Sequence, residues 1–182
     1  MLVLLIDEFI ADPDSFQNSY YSQLYEFTRL LTYIDEREVG INTGSIYKSK
    51  QNPKEYLVCI TPYCDIHRPE LIGNIYKFIV GTSIDPHPDK LKNDSLKFEV
   101  TPVPLADNKT LEFVRWSFFH TNCFNKDELE NSYEKVVTLK KEYIQKIMNR
   151  YITYQARAGV NEPFYMESSF INSFHSFLTN TN

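Results

Sequence analysis

The run Tyr56-Leu-Val-Cys-Ile60 constrains this chain more than any other stretch. It is apolar, rich in strand-forming residues and of strand length, so it reads as a buried strand. Thr61-Pro62 ends it at once, because proline has no N–H to give to a sheet ladder. Cys64, Asp65 and His67 then fall within four residues of one another. A strand that stops abruptly and carries polar groups at its tip is a common way to build a site.

Around that strand the chain alternates short apolar segments with turns. Phe16, Tyr20, Leu24, Phe27, Leu31 and Ile34 form a single-face stripe after the helix-start residues Asp12-Pro-Asp-Ser15, which predicts an N-terminal helix. Short strands are expected around Gly40 and Gly44, then over 56–60, 75–80, 96–102 and 111–119, with an exposed loop over 82–94. Leu139, Tyr143, Ile144, Ile147, Met148, Tyr151 and Ile152 predict a helix over about 138–155, with Gly159 as its stop. In the tail, Phe170, Ile171, Phe174, Phe177 and Leu178 would share one side of a short helix.

The expected class is therefore α+β. A small bent antiparallel sheet or SH3-like barrel would be flanked by an N-terminal and a C-terminal helix. The divisions expected are an arm and amphipathic helix over 1–37, a β core with its C-terminal helix over 38–160, and an aromatic docking tail over 161–182.

Composition excludes some classes and disfavours others. Thirteen Tyr and thirteen Phe against five Gly argue for a packed core and against disorder. Three cysteines cannot form a disulfide framework, so reduced thiols and a cytoplasmic location are expected. Leu2 to Ile6 lacks a basic flank and runs into Asp7 and Glu8, unlike a signal peptide. No apolar stretch is long enough to span a membrane. Leu2-Val-Leu-Leu-Ile-Asp-Glu8 resembles a Walker B strand, but no phosphate loop accompanies it.

Three constellations carry candidate chemistry. Cys64-x2-His67 and His120-x2-Cys123 could supply the four ligands of a zinc site if neighbouring strands brought them together. Cys64 could serve as a nucleophile with Asp65 and a cation beside it. Against this, Asp65 accepting backbone N–H groups to fix the turn after Pro62 is the ordinary structural role.

The third constellation is charge. Lys135, Lys140, Lys141, Lys146, Arg150 and Arg157 face the single acid Glu142 between residues 135 and 157. That segment carries +5, so with −5 overall the rest of the chain carries −10. Lys140, Lys141, Lys146 and Arg150 could meet nucleic acid, an acidic partner or the protein's own acidic body. The overall acidity sets the default against nucleic acid.

Two resemblances can be stated on these residues. Tyr56-Leu-Val-Cys-Ile-Thr-Pro-Tyr-Cys-Asp-Ile66, with Tyr143 to Val160 downstream, is similar to poorly characterised bacterial proteins that carry a Thr-Pro-x-Cys-Asp core and a C-terminal helix ending Arg-x-Gly. Those proteins look like accessory or effector modules of signalling and phage-defence systems. The resemblance implies interest in Thr61, Pro62, Cys64, Asp65, Arg157 and Gly159. More distantly, the Gly-containing strand opening the β core resembles the barrel of PemK/MazF-type toxins, which cleave RNA; Gly44-Ser-Ile46 stands where those toxins carry Gly-Asp-Ile/Val.

The function expected is a non-enzymatic interaction or regulatory module, binding through Thr61, Pro62, Asp65, Arg150 and Arg157. Its partner would be a protein or a second copy, and no cofactor is expected. One alternative is a hydrolase or ribonuclease using Cys64, Asp65 and Arg157. The other is a zinc-stabilised binding module.

Overall fold

The structure is a computed structural model, and it describes residues 23, 25–34, 40–85, 97–105 and 110–158, without the side chains of 157 and 158. The expected N-terminal strand, the stripe residues Phe16, Tyr20 and Leu24, and the aromatic tail lie outside the described residues. The fold is α+β, as the segment pattern predicts. Seven strands form one antiparallel sheet curled into a half-barrel: β1 (Tyr33–Ile34), β2 (Ser45–Ser49), β3 (Glu55–Cys59), β4 (Tyr76–Ile84), β5 (Phe98–Pro104), β6 (Leu111–Phe124) and β7 (Tyr133–Leu139). Their order across the sheet is β1-β7-β2-β3-β4-β6-β5. The Tyr56 run is near the middle, paired with β2 on one side and β4 on the other.

Both faces of the sheet are covered at β3, which explains why that strand reads as a continuous apolar run rather than an alternating one. On the inner face Ile46, Tyr56, Val58, Ile79, Val114, Trp116 and Phe118 pack against a helix that fills the half-barrel. That helix is α4 (Lys141–Ala158), and it contributes Ile144, Ile147, Met148, Tyr151 and Tyr154. On the outer face Tyr47, Leu57, Cys59, Phe78 and Val80 pack with Leu129, Ile66 and Ile72. Leu129 comes from α3 (Lys126–Ser132), whose start is a reciprocal capping box between Asn125 and Glu128.

The curl has local causes. Register shifts interrupt the β2–β7 ladder at Ile46/Tyr47 and the β4–β6 ladder at Ile79/Gly81, and bulges of this kind bend the strand that carries them. At Gly81 a Cβ would run into the Trp116 ring and the Val114 side chain, so only glycine lets β4 and β6 approach there. The two sheet edges, β1 and β5, are joined by side chains: the Tyr33 hydroxyl donates to the Pro102 carbonyl.

Several expectations need correction. Thr138 and Leu139, expected as the start of the C-terminal helix, are instead the last residues of strand β7. Strand β4 runs on through Thr82–Ile84, where a loop was expected, and β6 continues past Phe119 to Phe124. Among the described residues the N-terminal helix, α1, spans 25–32. It buries Tyr25, Thr28 and Thr32, while Phe27 and Leu31 of the expected core stripe are exposed. Polar anchoring fixes this rotation. The Tyr25 hydroxyl donates to the Leu105 carbonyl at 2.9 Å, and the Thr32 carbonyl accepts from the Lys140 N–H at 2.9 Å.

Candidate functional site

The corner after β3 is fastened by Thr61. Its Oγ1 accepts the Lys77 N–H at 2.8 Å, and its carbonyl accepts the Thr43 hydroxyl at 2.6 Å. Thr61 is buried, so both bonds are shielded from water. Lys77 links the corner to the far helix, because its ammonium lies 5.3 Å from the Tyr151 ring centre on α4. The Cys64 thiol donates to Asp65 Oδ1 at 3.4 Å. The turn itself is closed by backbone bonds, the N–H groups of Asp65 and Ile66 both donating to the Pro62 carbonyl. The role expected of the Asp65 carboxylate, accepting backbone N–H groups, is taken by Pro62 O because a four-residue helix, α2 (Tyr63–Ile66), forms immediately.

From α2 the chain passes through a 3-10 turn, Pro69–Ile72, capped by Gly73 in the left-handed region at φ 62°. Ile66 and Ile72 anchor this excursion to the outer core. The remaining large apolar side chains point away. Tyr63 is 51% exposed, Leu71 69% and Ile75 52%. Sequence reasoning singled out the polar residues here and missed these three. Ile75 was expected as the first residue of a strand over 75–80, but β4 begins at Tyr76 and leaves Ile75 uncovered.

The catalytic candidates are weakly assembled. Cys64 is exposed and its thiol bonds the expected Asp65 carboxylate, whereas thiol activation rests on a neighbouring cation or imidazole. Arg157 lies in the last turn of α4, but its side chain is outside the described residues. Cys64 and His67 sit on the α2 corner, whereas His120 and Cys123 sit on β6. Among the described residues no three His, Cys, Asp or Glu side chains gather around a metal position.

Much of the basic segment is bonded to the protein's own body. Lys146 and Arg150 both pair with Glu99, the former at 2.8 Å, and the Glu99 side chain is only 4% exposed. The ammonium groups of Lys135 and Lys140 bond to the carbonyls of Gly40 and Leu30. Of the four residues expected to meet nucleic acid, Lys140, Lys146 and Arg150 thus each hold an intramolecular partner, although only Arg150 is largely covered and the Lys146 side chain stays 61% exposed; Lys141 is exposed. A buried carboxylate on β5 explains why: leaving Glu99 unpaired would cost several kcal/mol, on the order of 3 to 5.

A second polar group faces inward at the opposite end of β6. Lys48 pairs with Glu112 at 2.7 Å and lies 5.3 Å from the Tyr56 ring centre. Burial alone would raise the Glu112 carboxyl, but Lys48, with the hydroxyls of Tyr56 and Ser83 nearby, outweighs it and holds the group below the ordinary carboxylate range. The Tyr56 hydroxyl is buried and near enough to Glu112 to feel its charge, yet outside ordinary hydrogen-bonding geometry.

Taken together, these features define an α+β protein whose polar clusters brace the half-barrel and whose β3–β4 excursion carries uncovered apolar side chains. No family model matches the chain, and no curated protein or solved structure matches it either. No helix among the described residues is long and apolar enough to cross a membrane.

Proposed function

We propose that the chain is a non-enzymatic interaction module that docks a protein partner, or a second copy, through the β3–β4 excursion. The observation that carries this reading is the exposure of Tyr63, Leu71 and Ile75 on a segment otherwise pinned by Thr61, Ile66 and Ile72. A rigid support with projecting apolar and aromatic side chains is how docking surfaces concentrate affinity. The buried charges support the same reading, since they are occupied in bracing the fold. The resemblance to bacterial accessory modules is what suggests a partner from a signalling or defence system.

Cys64 offers the test, because it is an exposed thiol on the docking segment. A photo-crosslinker attached there, in a Cys123→Ser background, is expected to capture a discrete partner or a second copy. Leu71→Asp or Tyr63→Asp should abolish that capture without changing the folded content by circular dichroism. A chain that sediments as a strict monomer at all concentrations, and yields no adduct from Cys64 in its native extract, would remove the reading.

A further inference from the structure

The outer face of β5 and β6 carries a charge arrangement that packing does not require. The only acids on these strands are Glu99 and Glu112. Both point to the inner face, where Lys146, Arg150 and Lys48 neutralise them. The outer face of the same two strands keeps the cation Arg115, which is exposed. Its guanidinium lies 5.2 Å from the Phe98 ring centre. Phe119 meets the same ring edge-on, at 5.6 Å between centres, and is itself 58% exposed. Thr82 on β4 pairs in register with Arg115 and is also exposed, bringing a hydroxyl beside it.

We propose that this face binds single-stranded nucleic acid, independently of the docking segment after β3. The occupant follows from the chemistry. The exposed Phe119 ring, with the half-buried Phe98 ring behind it, offers a π-face on which an unpaired base stacks without regard to sequence. A guanidinium held beside those rings pairs with the phosphate between stacked bases. The inward turn of both carboxylates lowers the local repulsion on a polyanion, and Glu55 of β3, in register beyond Thr82 on this face, is bonded to the Tyr133 hydroxyl. A duplex hides its bases, so the face should discriminate against it.

Fluorescence anisotropy of the full chain with labelled oligothymidylate, oligouridylate and a duplex of equal length tests this. Saturable binding of the single strands, with the duplex at least about tenfold weaker, is expected. Phe119→Ala and Arg115→Ala should each weaken binding by roughly 5- to 150-fold, the range for loss of one stacked base. Arg115→Ala should also lower the slope of log affinity against log salt by about 0.7, one phosphate contact. Lys141→Ala, on exposed α4 surface, should change nothing. Absence of binding, equal binding of duplex, or sensitivity to Lys141→Ala but not Arg115→Ala would overturn the proposal. So would unchanged oligonucleotide affinity in both face variants together with loss of the Cys64 adduct, which would make this face a protein interface. Failure here leaves the Tyr63, Leu71 and Ile75 variants as a separate test of protein docking.

Discussion

At the scale of single residues, the three cysteines illustrate how position decides chemistry. Cys59 is the last residue of β3, buried in the outer core, while Cys64 and Cys123 are exposed. Burial pushes the Cys59 thiol from 9.0 up to about 11, against smaller opposing contributions from Thr61 and Lys135. Because the folded value lies above the unfolded one, ionisation is easier in the unfolded chain. The folded state is therefore unaffected below the unfolded value and loses stability as pH rises from about 9 to about 11. Two units correspond to about 3 kcal/mol over that window. Denaturant midpoints measured at pH 8 and pH 10.5 should show this loss, joined above about pH 10 by that of Tyr33, Tyr56 and Tyr133, whose hydroxyls burial also pushes up, and Cys59→Ala should reduce it. Native protein should titrate two thiols with a disulfide reagent, and the third only after unfolding. Three fast-reacting thiols would mean that β3 is not the covered strand described here.

At the scale of elements, what could be read from sequence depended on whether a segment's partners were local. Strands β3 and β5 and helix α4 carry their own signals, a continuous apolar run, a period-two pattern and a broad apolar band. Strand β7 was hidden because Tyr-Glu-Lys-Val-Val-Thr-Leu139 abuts the helix and shares its basic residues; its pairing with β2, more than eighty residues away, makes it a strand. Strand β1 has only two residues and exists through Leu139 and Thr138. The rotation of α1 was equally invisible, since Tyr25 and Thr32 are held by polar bonds to β5 and to the β7–α4 junction rather than by an apolar stripe. Of the candidate site, the corner's position was legible and its fastening was not. Thr61 holds it through Lys77 and Thr43, both far in sequence. Gly81 gives the element-scale test. Because a Cβ there meets Trp116 and Val114, both fully buried, Gly81→Ala should cost about 1 to 3 kcal/mol through forced repacking. Gly73→Ala has open space but a left-handed φ, and should cost about 1 kcal/mol through backbone strain alone. Urea unfolding of the two variants separates the mechanisms. Trp116 fluorescence should shift in Gly81→Ala and stay unchanged in Gly73→Ala.

At the scale of the whole molecule, the half-barrel is an open sheet whose two ends are brought together by side chains. The Tyr33 hydroxyl reaches the Pro102 carbonyl, and the Tyr25 hydroxyl reaches the Leu105 carbonyl, spanning 69 and 80 residues of chain. Pro102 and Pro104 deny β5 two of the N–H groups that an edge-to-edge ladder would need. The seam is thus closed by hydroxyls where backbone pairing is blocked, and the edge is withheld from pairing with other chains. Each bond should contribute about 1 kcal/mol. Tyr25→Phe with Tyr33→Phe keeps both rings in place and removes only the hydroxyls. Hydrogen exchange followed by mass spectrometry should then show faster exchange in β5 and β1, with β3 and β4 protected as before. Helix α4 stays seated in the double variant, because Glu99 still binds Lys146 and Arg150. Uniformly faster exchange across all seven strands would instead mean that the two tyrosines support the core as a whole, and that the seam does not open by itself.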